Sequence, residues 1–414
     1  MTTKARALFA AFLFTAAVPT MAAAQQKPAA PAAPKLQVSK EAGPALQALE
    51  KAVKENRTAE VPALAAAALA VAKTNVDRYF AYRLQLPVLA TGGNEPALLT
   101  ALEGTIESGV PTGDDLGNLA LNAAKLNYNK GAADTAAQAK AAAQIEQAVV
   151  ALPNSGDAHY IRGLVLNRQK KPAEAVASLQ KAQSIWAAAG KPFDQGIADQ
   201  LFAIAYNARL PVARELAVGQ VKAAPNAKNW RTAIKITEQF SNLPAADKID
   251  LFRLQRATQS FEGEGDYYPY VDALLTRGLP GEAQAVLNEA FAANKLDRNK
   301  AAWKEMHSAA SARVTADKAS LAAGEKAALS AATARPALAT GDAFMSYGDY
   351  AKAAALYRAA LGKSGVDADL ANLRLGIALA RSGDSAGATT ALNAVKGTRA
   401  GIAQMWLLYL QRQS

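Results

Sequence analysis

A fixed spacing of small and large residues recurs along the chain and predicts packed helical hairpins. In the clearest copy Gly163 is followed twelve positions later by Ala175, then by Leu179 and Ala182. Two antiparallel helices approach closely only where the facing side chains are small, and a large residue nearby fills the remaining space. One such hairpin cannot bury its apolar face alone. The spacing therefore predicts several hairpins stacked in series.

Three further copies support this prediction. They are Gly341, Ala353, Tyr357 and Ala360; Gly376, Ala388, Leu392 and Val395; and Val271, Ala283, Leu287 and Ala290, the last with valine in the first small position. In these three copies glycine also stands five residues before the alanine, at Gly278, Gly348 and Gly383. Glycine adopts the positive φ that ends a helix, so we expect a turn at each of these positions.

This pattern resembles the tetratricopeptide repeat, a helix-turn-helix unit of roughly 34 residues. No strand-like alternation of apolar and polar residues appears, so we predict an all-α fold, and the resemblance implies a right-handed α–α superhelix of helical hairpins. At residues 261–270 and 277–283 the sequence is similar to exported proteobacterial proteins of the same repeat family. The resemblance implies an adaptor-like binding role and adds no catalytic residue.

The N-terminus has the features of a secretory signal peptide. Basic residues Lys4 and Arg6 precede the apolar run 7–18, and Ala22, Ala23 and Ala24 supply a cleavage site. The run is shorter than the roughly 20 residues that span a bilayer, and no later stretch is long and apolar enough. With no cysteine in the chain, we expect an exported protein of the periplasm, with secretion as the alternative.

Four segments follow from these patterns: a signal peptide at 1–24, a Pro/Ala-rich tether at 25–38, divergent helical repeats at 39–152, and clearer repeats at 153–414 that end in an amphipathic capping helix. Within them, Pro87 is expected near the end of a third helix. The alanine-rich run 296–335 is expected to be helical and nearly featureless.

The formal net charge of +11 favours anionic partners in general. Export argues against nucleic acid, so an anionic protein, lipid headgroup or acidic glycan is expected instead. The charges are scattered along the chain, however, and a merely solvated surface is the simpler interpretation.

Catalytic and metal sites find little support in the sequence. The two histidines, His159 and His307, lie in different repeats, so no zinc motif exists. The only local carboxylate cluster is Glu262, Glu264 and Asp266, which we interpret as a solvated acidic loop. We therefore predict no enzyme activity, no metal and no cofactor. A glycan-cleaving enzyme would require two carboxylates roughly 5–10 Å apart in a pocket.

The resemblance implies that the first helix of each hairpin lines a groove that holds an extended peptide or a partner helix. The lysine and asparagine set that clamps a peptide carboxylate in some relatives is absent, because Tyr160 and Leu164 stand at two of its positions. Among the outward residues, Asn167 and Arg381 are the better candidates. The predicted partner-binding residues are Tyr160, Asn167, Arg168, Tyr268, Asp272, Arg335, Asp342, Arg374 and Arg381.

The predicted function is thus a scaffold that binds a protein of the cell envelope. A binder of an anionic envelope glycan or lipid is the alternative, and it would require basic residues that converge on the groove.

Overall fold

The computed structural model describes residues 36–192, 194–241 and 243–412, which are predominantly helical. Within these ranges the only extended pairing is one backbone bridge between Thr333 and Ser364. The prediction of an all-α fold of stacked hairpins is confirmed. The predicted signal peptide and most of the predicted tether lie outside the described residues. Among the helices of these ranges, none is long and apolar enough to cross a membrane.

The chain divides into two compact units, Met1–Ala208 and Arg209–Ser414, named unit 1 and unit 2. The described part of unit 1 contains ten helices, of which α6 and α7, and α8 and α9, form the most closely packed hairpins. The bounds are α1 Gly43–Lys54, α2 Val61–Val71, α3 Asn75–Arg83, α4 Leu86–Gly92, α5 Glu95–Glu107, α6 Gly113–Asn129, α7 Thr135–Ala151, α8 Gly156–Arg168, α9 Pro172–Ala188 and α10 Gln195–Asn207.

Unit 2 contains eleven α-helices in its described part, and short 3-10 turns at Ala245–Asp247 and Gly397–Arg399. The bounds are α11 Val212–Ala223, α12 Ala227–Phe240, α13 Lys248–Ala257, α14 Glu264–Thr276, α15 Pro280–Ala292, α16 Ala301–Ser330, α17 Ala334–Ser346, α18 Tyr350–Leu361, α19 Ala368–Ser382, α20 Ser385–Asn393 and α21 Ala400–Gln411.

Side-chain caps set where many of these helices begin. Ser155 accepts a hydrogen bond from the backbone N–H three residues on, and Asp349, Asp367 and Asp384 do the same for α18, α19 and α20. These caps satisfy N–H groups that have no partner inside the helix. The short loops between the helices therefore bring the apolar faces of each hairpin together.

The small positions of the repeat are the places where the helices touch. A methyl group added at Gly163 would lie 2.6 Å from Leu179 Cγ, and one added at Gly376 would lie 2.5 Å from Leu392 Cγ. Gly341 meets the ring of Tyr357 in the same way, at 2.7 Å. The predicted contact between small and large residues is confirmed in these three hairpins.

The predicted turns are confirmed as well. Gly278, Gly348 and Gly383 have φ values of 70°, 77° and 91°. In the α8–α9 hairpin Lys170 occupies the corresponding position with φ 60°, which explains why that copy lacks the glycine signal.

Two local predictions hold only in part. Pro87 follows the end of α3 at Arg83, but it lies in the first turn of α4, where its missing N–H costs no hydrogen bond. The run 296–335 is largely helical, as predicted, but it is not featureless. It contains α16, which ends at Ser330, and the start of α17, which begins at Ala334. Trp303 is buried on α16 and Ala334 on α17, so both helices are held by packing.

The last helix differs from a simple cap. α21 packs against α19 and α20, as a capping helix would, but it also packs against α12 and α13 near the start of unit 2. Apolar side chains around α21, including Ile402, Met405, Trp406 and Leu410, are consequently buried. The helix is buried on both sides rather than amphipathic, and the two ends of unit 2 meet to close a ring.

Candidate functional site

A chain of five alternating charges fills the interior of unit 2. Asp342 on α17 pairs with Arg374 on α19 at 2.6 Å, and Arg374 reaches Asp250 on α13 at 3.3 Å. Asp250 pairs with Arg253 at 2.9 Å, and Arg253 pairs with Glu282 on α15 at 2.7 Å. All five side chains are at most 8% exposed. Buried charges cost desolvation unless each has a partner, and here each has one.

Two tyrosines close the ends of this charge chain. The Tyr357 hydroxyl donates to Asp342 at 2.7 Å, and the Tyr270 hydroxyl donates to Glu282 at 2.6 Å. Burial raises the pKa of both tyrosines, and the neighbouring carboxylates act in the same direction. Burial alone would raise the pKa of Glu282, but the charge of Arg253 and the hydrogen bonds from Arg253 and Tyr270 together lower it.

The interpretation of Asp342 and Arg374 as partner-binding residues is therefore corrected. They are 6% and 2% exposed, and their charged atoms bind each other, Asp250 and Tyr357. Sequence reasoning missed Asp250, Arg253 and Glu282 entirely. The available signal was a single charge inside an apolar run, as in Leu373-Arg374-Leu375, which predicts a buried and paired group more readily than a surface contact.

One small cavity opens in unit 2 near the C-terminal ends of α13, α17 and α19. Its volume is about 20 Å³, enough for roughly one water molecule. Arg381 lies at its rim and is exposed, with its nearest contact the Tyr350 hydroxyl at 3.5 Å. A cavity of this size cannot enclose a sugar or a lipid. The lining residues are Arg253, Arg256, Glu282, Met345, Tyr350, Ile377, Arg381 and Trp406.

In unit 1 an aromatic surface is formed where α6 and α8 lie side by side. Tyr160 on α8 is half-buried against Trp186 of α9, with ring centroids 5.9 Å apart. Arg168 lies over the ring of Tyr128 at 3.5 Å. Burial raises the pKa of Tyr160, with Tyr128 as a further contributor, which places the two tyrosines in one neighbourhood.

Arg168 and Asn167 have different roles on this surface. Arg168 donates to the Tyr128 carbonyl at 2.6 Å and to Gln138 Oε1 at 2.8 Å, so its guanidinium holds α8 to the preceding hairpin. It is a structural group first, which limits its predicted role as a partner contact. Asn167 is exposed at the end of the same helix.

Two opposite charges, on Lys125 and Asp157, border the aromatic surface. Burial lowers the pKa of Lys125 on α6, and the charge of Asp157 on α8 acts in the opposite direction. We name the surface formed by Lys125, Tyr128, Asp157, Tyr160 and Asn167 the α6–α8 face.

The remaining predicted contacts are exposed residues of unit 2. Tyr268 is 50% exposed and packs edge-on against Trp303, while Asp272 and Arg335 are exposed on α14 and α17. The nine predicted residues thus fall into a group of three on α8 of unit 1 and a group of six in unit 2, two of which are buried. Partner binding by the exposed residues stays a prediction.

The acidic cluster is only partly the predicted solvated loop: the Glu262 and Glu264 side chains are 71% and 45% exposed, whereas Asp266 is buried. Asp266 has a 1% exposed side chain and receives Arg231 and Lys235, both at 2.6 Å. Burial alone would raise the pKa of Asp266, but these two cations lower it. Glu262 pairs with Arg231 at 2.8 Å, and Glu264 pairs with Lys300 at 2.5 Å. Each carboxylate is thus engaged in an ion pair, and the cluster holds α14 in place.

Comparison with known proteins agrees with this architecture. Residues 139–191 and 338–402 match the Tetratricopeptide repeat family. These two segments are similar to tetratricopeptide repeats. The matched segments include the α8–α9, α17–α18 and α19–α20 hairpins, the same three in which glycine meets the large residue of the second helix.

Several solved structures resemble the chain at low similarity. A tetratricopeptide repeat protein from Parabacteroides merdae is 13% identical over 82% of this chain and 100% of its own, with a TM-score of 0.30. Yeast Tom70 is 12% identical over 90% of this chain and 88% of its own, with a TM-score of 0.18. No curated protein sequence matches the chain significantly.

Proposed function

We propose that the protein is an exported, non-catalytic scaffold that binds a partner protein on the α6–α8 face of unit 1. Tetratricopeptide repeats are typical of interaction scaffolds, and this chain carries them in both units. The observation that supports this location is the contrast between the units. The interior of unit 2 is filled by its own charges, whereas the α6–α8 face presents half-buried aromatic side chains to solvent.

The chemistry of the α6–α8 face suits an extended protein segment. Half-exposed tyrosines provide rigid apolar area with a hydroxyl at the edge, and such residues are enriched among those that dominate binding energy. Asn167 can pair with a backbone amide through both its donor and its acceptor. The tyrosines would supply affinity, and Asn167 with the Lys125 and Asp157 charges would set the register of the bound segment.

A photo-crosslinking amino acid at position 167 tests this proposal. The matched control carries the same group at Lys181, which is exposed on the second helix of the same hairpin. Envelope extract should yield one crosslinked protein with the position-167 probe and none with the position-181 probe.

The captured partner, once purified, should bind the Tyr160→Ala variant roughly 30-fold more weakly, the loss of about 2 kcal/mol that is typical of one aromatic anchor. Circular dichroism of this variant checks that α8 still folds. Equal crosslinking at both positions, or unchanged affinity in the variant, would show that the α6–α8 face is not the binding surface.

Export is a separate part of the proposal and rests on the first 24 residues. N-terminal sequencing of the protein from its native host should give a mature chain that begins at Gln25. A chain that retains Met1 would refute export without affecting the scaffold proposal.

A second candidate is recognition of an anionic envelope glycan or lipid at the rim of the unit 2 cavity. Its support is Arg381, an exposed guanidinium with no ion-pair partner among the described residues. The nearby charge chain argues against this candidate, because it contains one more carboxylate than arginine and its net negative charge repels an anion. Vesicles with anionic lipid should retain the wild type and release Arg381→Ala if this candidate is correct.

A further inference from the structure

A groove opens in unit 1 between α1 and α3, beside the point where the described chain begins. Its volume is about 280 Å³, near the roughly 300 Å³ at which small binding sites start. Its walls are mostly apolar. We name it the α1–α3 groove, and its lining residues are Val38, Gly43, Leu46, Gln47, Glu50, Phe80 and Leu84.

The α1–α3 groove leaves apolar side chains of α3 partly open to solvent. Phe80 and Leu84 are four positions apart, so they share one face of the helix, and both are only half-buried. Leu46 of α1 lines the same groove. The first helices of a stacked helical array need a cover with a polar outer face. A segment that fills this groove would provide one.

The chain reaches the groove at Val38, which lines it and is 37% exposed. The Ser39 N–H donates to Asp77 Oδ1 of α3 at 2.8 Å, and the Ala42 N–H donates to Ser39 Oγ at 3.2 Å. These bonds fix the turn that leads into α1. Leu36 is the first described residue, so the segment that precedes it ends within two residues of the groove.

That segment has a regular spacing of prolines. Pro28, Pro31 and Pro34 are three positions apart, with alanines between them. A polyproline II helix has three residues per turn and a rise of about 3.1 Å per residue, so this spacing puts the three rings on one face, about 9 Å apart. The lining of α1 runs from Gly43 to Glu50, a length of about 10 Å in a helix. The groove therefore matches the step between two successive prolines.

The segment is also long enough to enter the groove. Leu36 is 45% exposed and does not line it, so the chain must turn back between Pro34 and Val38. Four residues suffice for a tight turn, and proline favours its second position. Pro28 and Pro31 are then the rings that reach the groove.

The polar side chains of the groove suit the same segment. A polyproline II chain makes no internal hydrogen bonds, so its carbonyl groups need donors from elsewhere. Gln47 is exposed, and its side chain makes no hydrogen bond within the described chain. Residues 25–35 contain two lysines and no acidic residue, which complements the charge of Glu50. The ion pair of Glu50 with Lys54 is exposed, and such pairs contribute little.

We propose that the α1–α3 groove binds the proline-rich segment of the same chain, residues 25–35. Two successive proline rings pack against Phe80 and its apolar neighbours, Gln47 donates to a carbonyl between them, and a lysine approaches Glu50. Aromatic-lined grooves recognise polyproline II segments in this manner. The docked segment covers the apolar edge of α3. The proposal does not depend on the α6–α8 face.

Pulsed electron paramagnetic resonance between two nitroxide labels tests this docking in the full chain. The chain contains no cysteine, so Ala29→Cys and Lys51→Cys provide the two labelling sites. The Lys51 side chain is 68% exposed on α1 and does not line the groove. We expect one narrow distribution of distances between the labels, because the docked segment holds a single position. Dilution with unlabelled chain should leave this distribution unchanged.

Matched variants identify the contacts on both sides. Exchange of two neighbours in the segment, Pro31→Ala with Ala32→Pro, keeps length, composition and charge but moves the middle ring off the shared face. Glu50→Arg places a long cationic side chain in the groove. Both variants should lose the narrow distribution. The control Glu41→Arg makes the same change at an exposed position outside the groove, and it should keep the narrow distribution. Circular dichroism checks that each variant is folded.

Three outcomes would overturn the proposal. A broad distribution in the labelled chain without further changes would mean that the segment does not dock. A narrow distribution that survives both the proline exchange and Glu50→Arg would mean that the segment is held elsewhere. A narrow distribution that disappears on dilution with unlabelled chain would mean that the groove holds the segment of a second copy.

Discussion

Replacement of Gly376 by alanine is expected to destabilise unit 2, although alanine is the better helix former. The added methyl would lie 2.5 Å from Leu392 Cγ and 3.3 Å from the Ala388 carbonyl oxygen, well inside van der Waals contact. Overpacking of this kind costs roughly 1–3 kcal/mol. The gain in helix propensity from glycine to alanine is about 0.5–1 kcal/mol, so we expect a net loss of about 1–2 kcal/mol in the free energy of unfolding.

The matched control is Gly219→Ala on α11, where nothing lies within 4 Å of the added methyl. This variant should gain about 0.5–1 kcal/mol, since only the propensity term applies. Urea unfolding followed by circular dichroism should therefore move the two midpoints in opposite directions, with the slope against urea concentration unchanged.

A double-mutant cycle identifies the contact responsible. Leu392→Ala alone should cost about 2–5 kcal/mol through the cavity it leaves. The double variant with Gly376→Ala should lose less than the sum, because the smaller residue makes room for the methyl group. Stability of Gly376→Ala equal to that of Gly219→Ala, or simple additivity with Leu392→Ala, would refute the packing argument.

Three other substitutions test the remaining contacts. Asp77 is fully buried and accepts hydrogen bonds from three backbone N–H groups at 2.8–2.9 Å. Asp77→Asn should lower the free energy of unfolding by about 2–3 kcal/mol, seen as faster amide exchange in α1 and α3. Burial would raise the pKa of Asp77, but these donors lower it, so the stability that Asp77 contributes is complete above the unfolded pKa of about 4 and declines as the pH falls below that value; thermal melts of Asp77→Asn should lack this decline. Tyr357→Phe, which removes the 2.7 Å hydrogen bond to Asp342, should cost about 1.5–3 kcal/mol in urea unfolding, and no change would show that the charge chain is satisfied without it. Arg168→Lys should cost about 1 kcal/mol and loosen the end of α8 in hydrogen exchange, because lysine cannot both stack on Tyr128 and donate to two acceptors.

The hairpins could be predicted from sequence because their determinants lie close together. Gly163 and Leu179 are sixteen positions apart, and turn glycines such as Gly348 stand at a fixed offset from them. The N-terminal hairpins were harder to predict because their contact residues differ. A methyl group added at Gly117 would meet Leu152, 2.5 Å away, which is the same small-to-large contact at another spacing.

The candidate site was only partly predictable. Asn167 is exposed on α8 and Tyr160 is half-buried against Trp186 of α9, and partner binding by both stays a prediction. The interpretation of Arg374 and Asp342 as contacts was wrong, because the repeat period places a residue on a helix face and no more. The period puts them on the inner face, and it carries no information on whether another part of the chain covers that face.

The sequence by itself therefore determined the helices, their turns and the contacts inside each hairpin, since these depend on residues within about one repeat of each other. Only the tertiary structure decided that the two ends of unit 2 meet and that its inner charges are buried and paired with one another. That outcome depends on the small rotation between successive hairpins, added over the whole unit, which brings Asp250 to Arg374 across 124 positions. No local pattern of residues specifies this accumulated rotation.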